Sequence, residues 1–318
     1  MAASAVGASV KAVASRTSAT ARERAQQVGA EVVAYDALPF GADAVVVCTP
    51  PDRHCADALQ ALHAGAVVMV EKPLASTLHE ADTLVEAGGS LLYAENLAFS
   101  PLIVETNELV SGIGAPTFIE IRMLSPRPTW GDFLSPDRGG GVLFDLGSHA
   151  IALALLLAGT DAPVSVSASL ASSADCDVDD EAEVVIEFAS GLRARIETTW
   201  TNPDAVWDVQ VSSEYGVVRT ELMPDPAIEH NGEPVPLPTL HSDVAPQLDQ
   251  LGYIEQMRML NDLVAGAPSP IDARFGRRVL EVICAAYSAA GENHPTALPF
   301  LGSRDSTPHQ LWSDTVGP

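Results

Sequence analysis

The first third of the chain alternates short apolar runs with helix-like segments. Residues 42–50 and 66–73 are continuous apolar runs, which is typical of strands buried on both faces. Further strands are predicted at 10–15, 31–35 and 90–96, and helices at 18–28, 53–64 and 76–88. Because strands and helices alternate, the pattern predicts an α/β domain over residues 1–97 with a parallel, doubly wound sheet.

The pattern changes after residue 97, where strands follow one another with few helices between them. The predicted strands are 116–124, 164–171, 181–189, 192–200, 207–214 and 216–223, and the predicted helices are 142–159, 250–265 and 272–291. This order predicts an α+β domain over 98–300 with a largely antiparallel, open sheet. Residues 227–248 are predicted to be a proline-rich loop, and 301–318 a polar, poorly ordered tail.

Two expectations about packing follow from this organisation. We expect the C-terminal helices of the second domain to pack back on the first domain. The antiparallel sheet should leave one face free of helices, and that face is a candidate interface for a homodimer or homotetramer.

Length and charge restrict the function. The 318 residues suit two domains. The formal net charge of −25 argues against nucleic acid as a partner, because such a field repels phosphate backbones. We interpret the acidity as a source of solubility or salt tolerance.

The cysteines and the apolar runs indicate the cellular compartment in which the protein is expected. The four scattered cysteines include no CxxC pair, so we expect neither a zinc site nor a disulfide framework. No apolar run reaches membrane-spanning length, and the first residues lack the features of a signal peptide. We therefore expect a cytoplasmic protein without a membrane partner.

Two motifs stand at the carboxyl ends of predicted strands, where open α/β sheets bind ligands. The first, CTPPDRH (48–54), is also compatible with an ordinary turn. The second is Glu71-Lys72-Pro73. Lys72 is one of two lysines in the chain, and a lysine held there can stabilise a developing alkoxide. The alternative is a solvated lysine at a strand end.

A third motif, GGGVLFDLGSH (139–149), opens the predicted helix at 142–159. Its glycines allow the backbone to approach a ligand or another loop. Asp145 and His149 are four residues apart and share a helix face. The histidine can act as an acid–base group, with the aspartate orienting it or a substrate hydroxyl. The alternative is a helix cap at Asp145 and a core histidine.

In their order and spacing, the three motifs resemble those of the Gfo/Idh/MocA family (glucose–fructose oxidoreductase, inositol dehydrogenase and relatives). The resemblance includes Asn96 at the end of a strand and the C-terminal LEVICAAYSAA (280–290) and ALPF (297–300) segments. It implies a Rossmann-type nucleotide-binding domain followed by a substrate domain. It also implies an oxidoreductase that transfers a hydride between NAD(P) and a secondary alcohol or carbonyl of a sugar, sugar derivative or cyclitol.

The resemblance also implies roles for individual residues. Lys72, Asp145 and His149 are the expected catalytic set, with His149 as acid–base group. We expect no metal, because these side chains carry the proton chemistry. Trp130 is a candidate wall of the substrate pocket, with plain packing as the alternative. The expected cofactor contacts are Ser15, Arg16, Thr49, Pro50, His54, Glu71, Lys72 and Asn96. Because Ser15-Arg16 can accommodate a 2′-phosphate, we expect NADP or NAD as cofactor, with a slight preference for NADP.

One departure from the family pattern concerns the start of the chain. The GxGxxG fingerprint that binds the pyrophosphate is missing, and Gly7 has no partner glycine. By the size of a βα unit, about 20–30 residues are expected to be absent. The explanations left open are a start assigned too late, a truncation, or a real loss. In the last case the chain is an inactive binding or scaffolding protein that binds cofactor weakly.

Overall fold

The structure, a computed structural model, describes residues 2–129, 131–138, 140–240 and 245–314. The helices are α1 (Ala2–Ala5), α2 (Ser18–Val28), α3 (Pro51–His63), α4 (Leu78–Ala87), α5 (Pro101–Gly112), α6 (Val142–Ala158), α7 (Pro246–Gln250), α8 (Tyr253–Val264), α9 (Ala273–Glu292) and α10 (Pro308–Ser313). The strands are β1 (Ala12–Val13), β2 (Glu31–Val32), β3 (Ala44–Val47), β4 (Val67–Glu71), β5 (Leu91–Ala94), β6 (Pro116–Pro126), β7 (Pro163–Ala171), β8 (Glu181–Phe188), β9 (Arg193–Thr199), β10 (Thr201–Ser213), β11 (Val217–Met223), β12 (Ala227–His230), β13 (Glu233–Val235) and β14 (Thr296–Ala297).

The N-terminal part is built on parallel strands. β3, β4 and β5 pair in that order, with α3 and α4 as the connections between them. The middle strand β4 is apolar because both of its faces are buried: Val68, Met69 and Val70 are almost completely inaccessible to water. All three strands end at the same edge, so the residues that follow them converge there.

A separate two-stranded parallel sheet pairs β1 with β2. Within the described residues, it has no strand-to-strand hydrogen bonds to the three-stranded sheet. Both strands are shorter than predicted, and the second is followed by a 3₁₀ turn at Tyr35–Ala37. Ser15 and Arg16 nevertheless follow the carboxyl end of β1 closely.

The second sheet has nine strands in the order β13-β12-β11-β10-β6-β9-β8-β7-β14. Every neighbouring pair is antiparallel except β6 with β9. Burial alternates along the strands: in β8, Val184 and Ile186 are buried, whereas Glu183 and Glu187 are exposed. One face therefore packs in the core and the other carries charged side chains toward water.

The loop predicted at 227–248 is corrected at its start, where β12 and β13 form a hairpin. Asn231 and Gly232 make the turn, with φ values of 55° and 81° in the left-handed region. An Asn-Gly pair is the strongest short-range signal for this turn. Pro234 is tolerated because β13 lies at the edge of the sheet.

Helix α6 lies at the centre of the molecule, against β6, β8, β9 and α9. It is apolar on nearly all sides, as a helix surrounded by protein must be. Among the described residues, one helical stretch, Pro136–Ala158, is long and apolar enough to cross a membrane. Since 83% of its apolar window is buried inside the protein, it has the burial of a core helix.

The C-terminal helices contact both parts of the molecule. α9 packs against α4 and β5 and also against α6 and β7, while α8 contacts β4. The tail predicted to be poorly ordered contains a further helix, α10, which packs on α9. A capping box of Thr307 and Gln310 starts this helix, and Arg304 forms an ion pair with Asp82 on α4.

Candidate active site

Lys72 directly follows β4 and binds a residue of helix α6. Its Nζ donates to the carboxylate of Asp145 and lies 3.3 Å from the backbone oxygen of the same residue. The two side chains are only 14% and 12% exposed, so water and salt screen this ion pair less than a surface pair. The ring of Phe133 lies 5.9 Å from the ammonium. The structure thus joins two motifs that are 73 positions apart.

The start of α6 is fixed by a buried carboxylate. Asp179 accepts a hydrogen bond from the N–H of Leu143 at 2.9 Å and from the hydroxyl of Tyr287 at 2.6 Å. Burial raises the pKa of Asp179 to about 6. Gly141 has a φ of 124°, and a Cβ there would lie 2.0 Å from the Asp179 carboxylate. At this position, the glycine allows the backbone to approach another part of the protein.

The residues between β6 and α6 (127–141, the glycine-rich segment) are held at both ends. At the start, Arg127 donates to Asp180 at 2.7 Å and to Asp175 at 3.0 Å. At the end, the N–H of Val142 donates to the backbone oxygen of Asp179 at 2.8 Å. Asp179 and Asp180 are consecutive and both buried, so one dipeptide anchors the two ends.

The imidazole of His149 contacts a glutamate that the sequence motifs do not single out. Its Nδ1 lies 2.8 Å and 2.9 Å from the two carboxylate oxygens of Glu95. Glu95 is 0% exposed and also accepts the N–H of Leu97 at 3.1 Å. The only signal in the sequence was its place, between the end of β5 and Asn96.

Glu71 and Tyr253 complete a cluster with the two pairs just described, Lys72 with Asp145 and His149 with Glu95. Burial raises the pKa of Glu71, and the positive charge of Lys72 offsets part of that rise. Burial also raises the pKa of Tyr253 to about 12, and the charge of Glu71 adds to the effect. The cluster is therefore sheltered from water. Tyr253 comes from the start of α8, and nothing in the sequence pattern places it near the strand ends.

Trp207, on β10, lies beside His149, with the two ring centroids 6.1 Å apart. Its Nε1 is buried and has no hydrogen-bond partner within the described residues. A buried N–H without a partner costs about 1–3 kcal/mol, which a bound hydroxyl would recover. The predicted pocket residue Trp130 lies outside the described residues, so that role stays a prediction.

Arg16 lies at the carboxyl end of the β1–β2 pair. Its side chain is 66% exposed, and its Nη2 lies 3.8 Å from the carboxylate of Asp132 in the glycine-rich segment. The guanidinium is accessible and only loosely paired, so it can bind an anion. Ser15 is the neighbouring predicted contact.

Thr49 and Pro50 lie at the end of β3, as the motif predicts. The hydroxyl of Thr49 donates to Asp57 at 3.0 Å, and Pro50 precedes the first residue of α3. Arg138 donates to both carboxylate oxygens of Asp52 at 2.8 Å. This contact ties the glycine-rich segment to the first turn of α3.

His54 and Asn96, two of the predicted cofactor contacts, lie at internal positions in this structure. The ring of His54 is 1% exposed, with Nδ1 2.9 Å from the oxygen of Pro73 and Nε2 2.6 Å from that of Thr49. Burial lowers the pKa of His54, and a neutral imidazole has one N–H for these two carbonyls. Asn96 is 4% exposed and donates to the oxygen of Leu251 at 2.7 Å. Both side chains hold parts of the protein together.

Comparison with known proteins matches the chain to one family in two places. A model of the NAD-binding Rossmann fold of the GFO/IDH/MocA oxidoreductase family matches residues 1–90. A model of the C-terminal domain of the same family matches residues 108–219.

Two relatives and one solved structure illustrate the similarity. D-xylose 1-dehydrogenase (NADP(+)) 2 of Haloferax volcanii is 32% identical over 204 residues, which are 61% of this chain and 62% of the relative. D-glucoside 3-dehydrogenase of Escherichia coli is 27% identical over 280 residues, 78% of this chain and 77% of the relative. The crystal structure of GenD2 from gentamicin A biosynthesis in complex with NAD is 26% identical, covers 93% of this chain and 92% of its own, and has a TM-score of 0.81.

The aligned part spans less than two thirds of the xylose dehydrogenase and about three quarters of the glucoside dehydrogenase. Both matched models come from the family that the sequence motifs predict. The predicted fold class, a Rossmann-type parallel sheet with a largely antiparallel second sheet, is also confirmed. The chain is therefore a member of the Gfo/Idh/MocA family of NAD-binding oxidoreductases.

Proposed function

We propose that this protein is an NAD(P)-dependent dehydrogenase that transfers a hydride between nicotinamide and a secondary alcohol or carbonyl of a sugar, sugar derivative or cyclitol. The observation that carries the proposal is the meeting of Lys72, Asp145 and His149 in one sheltered cluster beside the parallel strand ends. No observation favours the inactive alternative, since all three side chains are present and Lys72 is ion-paired with Asp145.

Each of the three residues has one chemical task. His149 takes the proton of the substrate hydroxyl as the adjacent carbon loses its hydride. Lys72 donates a hydrogen bond to the same oxygen and stabilises the negative charge that develops on it. Asp145 holds the Lys72 ammonium in place. When bound, the nicotinamide ring accepts the hydride, or supplies it in the reverse direction.

The relatives support a sugar or polyol as substrate, because those named above are a xylose dehydrogenase and a glucoside dehydrogenase. The surroundings of His149 suit such a molecule. Trp207 offers an apolar ring together with a buried N–H, which matches the C–H faces and hydroxyl groups of a polyol.

For the cofactor, we propose NADP as the preferred form and NAD as the alternative. A nicotinamide dinucleotide fits the chemistry of this edge: the accessible guanidinium of Arg16 can bind a 2′-phosphate, and Lys72 lies where the reactive end is expected. The proposed contacts along the edge are Ser15, Arg16, Thr49, Pro50, His54, Glu71, Lys72 and Asn96.

We further propose a cytoplasmic homodimer or homotetramer formed through the exposed face of the nine-stranded sheet. On that face, Arg195 lies 3.1 Å from Glu120 and 3.0 Å from Glu183. A second copy can extend this pattern of alternating charge. Sedimentation at low and high protein concentration tests the assembly, and a monomer throughout contradicts it.

A screen of polyols and aldoses with NADP and NAD, followed by the absorbance of the reduced nicotinamide, tests the activity. Lys72→Met removes the ammonium and keeps an unbranched chain, and we expect kcat to fall by about 100-fold or more. Lys11→Met is the matched control, because the only other lysine donates to the backbone oxygen of Gly41 at 2.7 Å, away from this cluster.

Unchanged turnover in Lys72→Met contradicts the catalytic assignment. Absence of turnover with every member of the panel, together with calorimetric binding of a sugar, supports the inactive binding protein instead.

A further inference from the structure

We propose that Glu95 is a positioning residue for His149, and that its buried carboxylate holds the imidazole with a proton on Nδ1 and leaves Nε2 as the base. The inference rests on the proposed function, because it assigns a partner to the proposed acid–base residue. It adds a fourth side chain to the three that the sequence motifs single out.

The first step is the geometry of the pair. Both carboxylate oxygens of Glu95 lie within hydrogen-bond distance of Nδ1, at 2.8 Å and 2.9 Å. The two side chains are 0% and 8% exposed, so water does not compete for the contact. The N–H of Leu97 donates to Oε1 of Glu95, which fixes the carboxylate at the end of β5.

The second step is the direction of the hydrogen bond. An ionised carboxylate is expensive to bury unless donors surround it. In the part of the chain that the structure describes, the donors to Glu95 are the backbone of Leu97 and the ring of His149. A carboxylate only accepts, so the imidazole must donate from Nδ1. A neutral ring then carries its lone pair on Nε2.

The third step excludes Asp145 from this role. Helical spacing places Asp145 one turn before His149, which made it the natural candidate for orienting the ring. Its carboxylate instead pairs with the ammonium of Lys72. The structure therefore divides the work between two acidic side chains: Asp145 positions the ammonium and Glu95 positions the imidazole.

The consequence is chemical as well as geometric. When Nε2 takes the hydroxyl proton, the ring becomes an imidazolium, and the adjacent buried carboxylate stabilises that positive charge. Without the carboxylate, the ring can adopt the other tautomer, with its proton on the nitrogen that must act as base. The active form then becomes a minor species.

The kinetic test is Glu95→Gln, which keeps the size of the side chain and removes its charge. We expect kcat to fall by about 100-fold or more, while the Kd for NADPH and the KM for the sugar change by less than about threefold. Glu108→Gln is the matched control, because Glu108 is an exposed residue of α5 and undergoes the same change. A kcat within threefold of wild type in Glu95→Gln overturns the proposal.

A second measurement needs no substrate and reads the tautomer in the wild-type protein. In protein labelled with ¹⁵N-histidine, we expect a pyrrole-type signal for Nδ1 of His149 and a pyridine-type signal for Nε2, assigned by comparison with His149→Gln. A pyridine-type Nδ1 in the wild-type protein overturns the proposal. If the wild type turns over no substrate, the proposed function fails, whereas the tautomer still decides the role of Glu95.

Discussion

The backbone N–H of Leu143 donates to the buried carboxylate of Asp179 at 2.9 Å, so a residue outside α6 caps that helix at its start. We expect Asp179→Ala to lower the free energy of unfolding by about 2–4 kcal/mol, because the cap is lost and the hydroxyl of Tyr287 loses its acceptor. Urea unfolding measures the change. Tyr287→Phe, which removes only the hydroxyl, should cost about 1 kcal/mol. Equal losses in the two variants contradict a capping role.

The same carboxylate predicts a pH dependence. Burial raises the pKa of Asp179 to about 6 in the folded protein, above its ordinary value of 3.8. The carboxyl group of Asp179 therefore binds its proton more tightly in the folded state than in the unfolded chain. The resulting stability is present below the ordinary pKa and is lost as the pH rises through 6.

Asp179→Asn cannot lose a proton, so we expect its stability relative to wild type to increase from pH 5 to pH 7. The increase should be about 1 kcal/mol, because only about half of the two-unit pKa shift is released between pH 5 and pH 7. Urea unfolding of both proteins at pH 5, 6 and 7 gives the difference directly. A difference that does not change with pH contradicts the assignment.

The pair of Arg16 and Asp132 predicts an effect on cofactor choice. Arg16→Ala should weaken NADPH binding by about fivefold to tenfold and leave NADH binding nearly unchanged, because only NADPH carries the 2′-phosphate. Asp132→Asn should tighten NADPH binding a few-fold, because the arginine loses its competing partner. Calorimetric titration of both nucleotides gives the two affinities.

Arg24→Ala is the control for this experiment, because it removes an exposed arginine of α2 and changes the net charge equally. An equal loss of NADPH affinity in Arg24→Ala would point to general electrostatics. An equal loss of NADH affinity in Arg16→Ala would show that Arg16 does not read the 2′-phosphate.

The excess of 42 acidic over 17 basic residues predicts that salt stabilises the fold. A net charge this far from zero opposes compaction, and 1 M salt shortens the screening length to about 3 Å. Salt also weakens ion pairs such as Arg195 with Glu183, but exposed pairs are worth only about 0–1 kcal/mol each. We therefore expect Tm to rise between 0.05 M and 1 M KCl. A fall in Tm would show that the ion pairs dominate.

The parallel strands and the main helices are predictable because their burial leaves a periodic or continuous apolar pattern. β4 is an apolar run with both faces covered, and α6 is apolar on nearly all sides. Lys72 and the α6 residues can be singled out together because their motifs occur in a fixed order and the first lies at a strand end.

Glu95 could not be predicted in the same way. It is a single polar residue after a strand, and only the packing of α6 against the end of β5 brings His149 to it. Trp207 and Tyr253 depend equally on how β10 and α8 return to the strand ends. The hairpin at Asn231 had a local signal, but the prolines around it favoured a loop.

The anchoring of the glycine-rich segment to Asp179 and Asp180 has a consequence for how such a protein can diversify. Because one dipeptide fastens both ends, the residues between Arg127 and Gly141 form an insert that can vary while Arg127 and Gly141 keep the start of α6 in place. Phe133, which faces the Lys72 ammonium, belongs to this insert, whereas Glu95, Asp145 and His149 do not. Selection can therefore alter what reaches the proposed catalytic groups while the positions of those groups stay fixed.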